Sequence, residues 1–198
     1  MIKQHGGANL VTRVVDRFDA VELGAPFKVI LHNAVQVTTD VSSGAMVKYC
    51  IPDLDGLLKT IAISRVLNSR KLTGQDIKFL RKAVGLKQKD LAKSIEMSPE
   101  HLSRCEAGAL VMSPASEKLL RIYLIKAVIK LHKLHKLQAC KAKAELEDAL
   151  ERLFGDLKPV AVHNAGDVLE LNFHRSRRLH EAGNDDADDG EWRDDLAA

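Results

Sequence analysis

Short runs of β-branched residues, separated by turn-forming residues, occupy the first quarter of the chain. The runs LVTRVV, FKVIL, AVQVTT and MVKYCI lie between residues 10 and 51, and several alternate apolar with polar positions. Such alternation is typical of strands with one buried face, and Gly, Asn, Pro and Ser between the runs favour turns. The pattern predicts a small antiparallel β-sheet, and we expect residues 1–51 to form a small β-rich domain.

The apolar spacing changes to that of helices after Pro52. Apolar residues then recur every three or four positions from Leu54 to about Leu67, which predicts a first helix. A second helix is predicted to begin at Thr73, whose hydroxyl can cap it, with Asp76 as an acidic variant of the capping box. Gly85 is expected to end it.

The segment 113–155 carries helix signals at both ends and no interruption between them. Ser113 can cap its start, Pro114 suits the first helical position, and Gly155 is a ready left-handed terminator. An uninterrupted helix of this length would span about 60 Å. Its apolar seam is like that of a coiled coil, with a break in phase near residues 138–140. We therefore predict a long dimerisation helix, and a hairpin of two helices turning near 138–140 is the competing prediction.

The remaining chain divides into a predicted short hairpin at 156–180 and a predicted disordered tail at 181–198. The tail holds eight acids and one base, a net charge of −7, whereas the whole chain carries +3. Residues 1–180 therefore carry +10. A basic body of this kind suits a polyanionic partner such as nucleic acid.

Several functional classes find no support in the sequence. Three widely spaced cysteines, at positions 50, 105 and 140, indicate neither a disulfide framework nor a cysteine zinc site. Because there is no run of about 18 apolar residues and no signal-peptide stretch, we expect a cytoplasmic protein with no membrane partner. No P-loop, G-x-S-x-G or H-E-x-x-H motif occurs, so we expect neither an enzyme nor a cofactor.

Histidines on the long predicted helix raise the question of a metal site. His132 and His135 lie three positions apart, and Cys140, His163 or His174 could in principle complete a ligand set. The surrounding segment is rich in lysine, which favours a solvated helix face for these histidines. We predict no metal.

The stretch from Gly85 to Gly108 is the most informative part of the chain. Its apolar positions fit two short helices joined by a tight turn, with the small residue Ala92 where the helices must approach. Ser98 can cap the second helix and Pro99 suits its first position. The outer surface of that helix is predicted to carry Glu100, His101, Ser103 and Arg104.

These positions resemble the helix-turn-helix of the XRE family, which includes Cro and the phage repressors. The family pattern is roughly Gln-x-x-Leu-Ala, four residues, a small-residue turn, a Ser or Thr cap, and then Ile-Ser-Arg-x-Glu-x-Gly. The matching residues here are Gln88, Leu91, Ala92, Ser98, Leu102, Ser103, Arg104, Glu106 and Gly108.

The resemblance implies a recognition helix, beginning at Ser98, that enters the major groove of double-stranded DNA. It places Gln88 and Ser98 on backbone phosphates, and Pro99, Glu100 and Arg104 at base-reading positions with His101 beside them. Arg104 is expected to contact guanine and Glu100 to accept from cytosine N4, whereas Glu106 is expected to be structural. The predicted DNA-binding residues are Lys87, Gln88, Lys89, Ser98, Pro99, Glu100, His101, Ser103 and Arg104.

Two positions depart from the family pattern. Glu96 occupies the turn position that is usually Gly, and a left-handed conformation there has an energetic cost. Cys105 replaces a larger apolar residue and predicts a smaller contribution to the core.

A further resemblance covers about residues 50–125. The segments IPDLDGLLKTIA, LTGQDIKFLRKAVGL and LLRIYL look like the DNA-binding module of MqsA-type antitoxins. The zinc-binding cysteines typical of that family's N-terminal domain are missing, so no structural zinc is predicted.

Together these patterns predict an α+β, mainly α, fold. It would have a small N-terminal sheet, a five-helix-type helix-turn-helix domain at 52–125 and the long dimerisation helix. The predicted function is a transcriptional regulator, specifically a repressor, that acts as a homodimer on a pseudo-palindromic operator. The alternative is an antitoxin-like interaction protein that binds a toxin-like or regulatory protein partner and regulates its own operon. A sensor of a small ligand is a third hypothesis.

Overall fold

The structure, a computed structural model, describes residues 10–133, 168–176 and 190–195. These residues divide into two compact units. One is built on a β-sheet from residues 10–21, 28–57, 170–176 and 190–195, and the other is mainly helical, from residues 22–27, 58–133 and 168–169. The described part of the chain thus combines five helices with a five-stranded sheet, which confirms a mixed α+β fold. The predominance of helix stays a prediction.

The sheet is larger than the sequence predicts. Its strands are β1 (Leu10–Asp19), β2 (Lys28–Asp40), β3 (Met46–Cys50), β4 (Glu170–Ser176) and β5 (Glu191–Asp194). Antiparallel pairing of β1, β2 and β3 is confirmed. In addition, β2 pairs in parallel with β4, and β4 pairs antiparallel with β5. The predicted antiparallel sheet is therefore part of a mixed sheet that includes strands from the C-terminal part of the chain.

A bulge in β2 divides this strand into two halves. Where β1 advances two residues, from Val15 to Arg17, β2 advances three, from Val35 to His32. Asn33 lies in this step with a φ of 51°, a left-handed conformation that Asn adopts more readily than most residues. β3 pairs with β2 on one side of the bulge and β4 on the other, both along the edge opposite β1. One long strand therefore holds three partners.

Strand β5 corrects the expectation of a disordered tail at 181–198 for residues 190–195, the described part of that segment. Residues 191–194 are paired with β4, and Trp192 between them is 4% exposed. Its indole N–H lies 3.3 Å from the carbonyl oxygen of Pro52 and 3.2 Å from that of Asp53, and the guanidinium of Arg175 lies 5.6 Å from the ring centroid. A buried aromatic anchor thus orders residues that their acidic neighbours alone would assign to solvent.

Only residues 168–176 of the predicted hairpin at 156–180 are among the described residues. Its first part, residues 156–167, lies outside the described residues. Its later part forms β4, which pairs with β2 and β5.

The helices agree closely with the sequence signals. They are α1 (Leu54–Leu67), α2 (Gly74–Ala83), α3 (Gln88–Ser94), α4 (Pro99–Glu106) and α5 (Pro114–Lys133). The predicted cap at Thr73 is confirmed: its hydroxyl accepts the backbone N–H of Asp76 at 3.1 Å, and the Asp76 carboxylate accepts the N–H of Thr73 at 2.7 Å. Ser113 likewise accepts the N–H of Ser116 at 3.1 Å. The continuation of α5 from 134 to 155 lies outside the described residues, so the long helix, the hairpin and dimerisation stay predictions.

Two buried arginines fix the connection between α1 and α2. Arg65 donates to the carboxylate of Asp76 at 2.9 and 3.3 Å and to the carbonyl oxygens of residues 70 and 71. Arg121 donates to Glu117 at 2.8 Å and to the carbonyl oxygens of residues 66, 68 and 70. Burial lowers the pKa of the Arg121 guanidinium, and its hydrogen bond with the Glu117 carboxylate opposes that shift. Because these charges are paired and hydrogen-bonded, their burial is tolerated.

Candidate nucleic-acid interface

Helix α4 begins at the residue that the sequence predicts. The Ser98 hydroxyl accepts the backbone N–H of His101 at 3.1 Å, and Pro99 is the first helical residue, where its missing N–H costs nothing. The start and axial register of α4 are therefore set by local chemistry.

The turn between α3 and α4 uses a strained residue. Glu96 has a φ of 54°, so the expected left-handed conformation is confirmed. The N–H of Met97 bonds to the carbonyl oxygen of Ala92 at 2.9 Å, and that of Glu96 bonds to the carbonyl oxygen of Lys93 at 3.3 Å. This is the Schellman pattern that glycine usually completes. The turn keeps its geometry with a glutamate at some conformational cost.

The inner faces of α3 and α4 are fully packed. Leu91, Ala92 and Leu102 have essentially no exposed surface, and Cys105 is 1% exposed. Burial raises the pKa of the Cys105 thiol above its usual value. Cys105 is therefore a protonated core residue, and its small size does not prevent close packing of α4.

A buried ion pair holds the C-terminal end of α4. Glu106 accepts from Arg81 in two hydrogen bonds, at 2.6 and 3.0 Å, and from the side-chain amide of Gln88 at 2.9 Å. The structural role expected for Glu106 is confirmed. Gln88, expected at a phosphate, is half-buried and uses one amide N–H internally, which leaves its amide oxygen and second N–H for other contacts.

The other predicted DNA-binding residues are all exposed. They lie in two short segments, one around the first turn of α3 and the other from the cap of α4 along its outer side. Glu100 and Arg104 are one helical turn apart and therefore share a face of α4. The exposed members are Lys87, Lys89, Ser98, Pro99, Glu100, His101, Ser103 and Arg104.

The exposed charge around these segments is mainly positive. Between residues 77 and 122 six bases and three acids are exposed, and none of the nine forms an ion pair with another described residue. Unpaired cations on one small module raise the local positive potential. The residues are Lys78, Lys82, Lys87, Lys89, Lys93, Arg104, Asp90, Glu96 and Glu100.

Two residues that position α4 were missed by the sequence analysis. Gly74 is the first residue of α2. A Cβ added there would overlap the carbonyl oxygen of Cys105 and would lie 2.9 Å from both the carbonyl oxygen of Glu106 and the backbone nitrogen of Gly108. A glycine directly after a helix cap was the available signal. Arg81 lies 25 positions from its partner Glu106, and no local pattern connects them.

Comparison with known proteins agrees with this geometry. Residues 77–122 match a family model described as helix-turn-helix. The chain therefore contains a helix-turn-helix module within α2–α5, as the sequence predicts. No curated protein and no solved structure matches the chain. The finer resemblance to MqsA-type antitoxins stays a prediction.

Neither a metal site nor a membrane span is found in the described part of the chain. No group of three His, Cys, Asp or Glu side chains there is placed to hold a metal ion. His135, Cys140, His163 and the side chain of His132 lie outside that part. No described helix is long and apolar enough to cross a bilayer.

Proposed function

We propose that this protein is a sequence-specific transcription regulator that binds double-stranded DNA through α4 and acts as a repressor. The observation that carries the proposal is the outer face of α4. Its glutamate and arginine, Glu100 and Arg104, are exposed and form no ion pair with another described residue, while the inner face and both ends of the helix are fixed by packing, a cap and a buried ion pair. A rigid helix with exposed hydrogen-bonding side chains is suited to reading base edges.

Arg104 and Glu100 are assigned to base recognition. A guanidinium can donate two parallel hydrogen bonds to guanine O6 and N7, and a carboxylate can accept from cytosine N4. Each such contact contributes about 1–3 kcal/mol of discrimination against the wrong base. Because the two residues share one face of α4, we expect their base pairs to lie close together in one half-site.

Affinity is assigned mainly to phosphate contacts. Lys87, Lys89 and Gln88 lie at the start of α3, and Ser98 lies at the start of α4. Exposed lysines that neutralise phosphates release counterions, so binding should weaken steeply as salt is raised. The loss of one lysine contact should lower the slope of log K against log salt by about one.

The operator is proposed to be pseudo-palindromic and bound by a homodimer. A single α4 covers only a few base pairs, and two copies related by a two-fold axis would place their recognition helices about 10 base pairs apart. This spacing would double the contact surface without any new chemistry in the chain.

The test is a footprint on the DNA upstream of the protein's own gene, followed by binding measurements at low salt. Arg104→Ala should weaken specific binding roughly 5- to 150-fold and relax the preference at one guanine position. Lys48→Ala removes one exposed positive charge from β3 and serves as the matched control. Equal footprints for wild type and Arg104→Ala would refute the assignment of α4. A promoter reporter that does not rise when the gene is deleted would refute repression.

A further inference from the structure

Three strands of the described sheet present an outer edge: β1, β3 and β5. An exposed edge carries unpaired N–H and C=O groups, which are ready to pair with another strand. Proteins usually protect such edges with short length, bulges, charged residues or proline. The three edges differ most in length.

Strands β3 and β5 are protected. β3 has five residues, carries the exposed Lys48 near its centre, and is interrupted by a register shift opposite residues 38 and 39 of β2. β5 has four residues and carries Glu191 and Asp194 at its ends. Neither strand offers a long regular edge.

Strand β1 is the longest of the three edge strands, although it too carries charged residues, Arg13, Asp16, Arg17 and Asp19. It has ten residues without lysine or proline, and no described strand pairs along its outer edge. Leu10 and Val11 are 48% exposed and Val14 is 49% exposed. A long edge strand with half-exposed apolar side chains is expected to be covered by a partner.

We propose that β1 pairs antiparallel with β1 of a second copy of this chain and so joins two sheets into one. The proposal rests on the homodimer of the proposed function and names its contact. Charge supports self-pairing. Residues 10–15 carry only Arg13 and are net positive, whereas residues 16–19 carry Asp16, Arg17 and Asp19 and are net negative. Antiparallel pairing about a two-fold axis between Val14 and Val15 brings these opposite net charges together on both sides of the axis.

The choice of a second copy over another protein follows from this symmetry. In a two-fold contact the same patch must complement itself. A strand whose two halves have opposite net charge and whose centre, Val14–Val15, is apolar meets that condition. The neutral centre also keeps equivalent charges of the two copies away from the axis.

Disulfide trapping in the full chain tests the contact directly. Directly opposed residues of an antiparallel pair have Cα atoms about 4.5–5.5 Å apart, within the range that a disulfide spans. Because the axis lies between Val14 and Val15, Val14 of one copy lies opposite Val15 of the other. An equimolar mixture of Val14→Cys and Val15→Cys chains, each in a background of Cys50→Ser and Cys140→Ser, should give a covalent dimer in high yield at micromolar concentration. Val47→Cys mixed with Val15→Cys is the matched control, because Val47 on β3 is 55% exposed. Cross-linking that is absent between positions 14 and 15, or equally fast in the control mixture, would overturn the proposal.

Sedimentation gives an independent test. Val14→Lys places like charges near the axis and should raise the dimer dissociation constant roughly tenfold or more, whereas Val47→Lys should leave it unchanged. Equal dissociation constants for Val14→Lys and wild type would overturn the contact. It would also be overturned if the wild-type protein stayed monomeric at high concentration, or if a different protein were found bound to β1. Arg104→Ala separates the two proposals, since it should lose DNA binding and still cross-link between positions 14 and 15. A chain that binds no DNA but cross-links there would refute the proposed function alone.

Discussion

Replacement of Gly74 by alanine should destabilise the protein although alanine is the better helix former. Helix propensity alone predicts a gain of about 0.5–1 kcal/mol for this change in an ordinary helical position. The φ of Gly74 is not in the left-handed region, so its backbone does not require glycine. The opposite sign is expected from the surroundings of the new methyl group.

The added Cβ of Gly74→Ala would meet backbone atoms at the C-terminal end of α4. It would overlap the carbonyl oxygen of Cys105, which also accepts the N–H of Gly108 at 3.0 Å, and would crowd the carbonyl oxygen of Glu106. Backbone within a helix end cannot move aside as a flexible side chain can. Overpacking of this kind costs about 1–3 kcal/mol, and we expect the upper half of that range, a loss of about 2–3 kcal/mol in the free energy of unfolding.

Urea unfolding followed by far-ultraviolet circular dichroism measures this change. Gln75→Ala, at the next and exposed position, is the control and should stay within about 0.5 kcal/mol of wild type. Affinity for operator DNA should also fall for Gly74→Ala, since α4 must shift to accept the methyl group. A variant as stable as wild type, or more stable, would refute the close approach of α2 and α4.

Three further changes test the turn, the buried ion network and the core thiol. Glu96→Gly should raise the free energy of unfolding by about 0.5–1 kcal/mol. The release of left-handed strain at this position outweighs the greater entropy of glycine in the unfolded chain. A loss of stability in urea unfolding would contradict this prediction. Arg121→Met leaves the buried Glu117 carboxylate without its main partner and should cost about 3–5 kcal/mol, whereas a cost below about 1 kcal/mol would show that the network contributes little. At mildly alkaline pH, iodoacetamide should label the exposed Cys50 rapidly and should label Cys105 only when the protein unfolds. Burial makes the Cys105 thiol inaccessible and raises its pKa, which keeps it protonated. Equal labelling rates for the two cysteines in the folded Cys140→Ser protein would argue against that burial.

Features set by neighbouring residues could be predicted from the sequence. The starts of α2 and α4 follow from Thr73 and Ser98, whose hydroxyls bond to N–H groups three residues ahead. The end of α2 follows from Gly85, which has a φ of 70°. In each case the chemical cause and its effect lie within one helical turn, so no tertiary information is needed.

Features set by distant residues could not be predicted in this way. Nothing near β2 specifies β4 as its parallel partner, and nothing near Trp192 specifies Pro52 as its acceptor. Likewise, the exposed candidates on α4 were predictable from helical spacing, whereas the ion pair of Glu106 with Arg81 depends on how α2 packs against α4. Long-range pairing is decided by the whole core, which a single local pattern does not encode.

The parallel pairing of β2 with β4 and the antiparallel pairing of β4 with β5 also determine when the sheet can be completed during synthesis. Residues 58–133 of the helical unit are contiguous and can form their local contacts soon after they are made. The edge of β2 at residues 28–32 must instead wait until residues 170–174 exist, and β4 must wait for β5 at 191–194. Such distant contacts close large loops and form slowly. In a nascent or truncated chain, the long apolar strand β2 is thus left with an open edge, where intermolecular pairing would compete with correct folding.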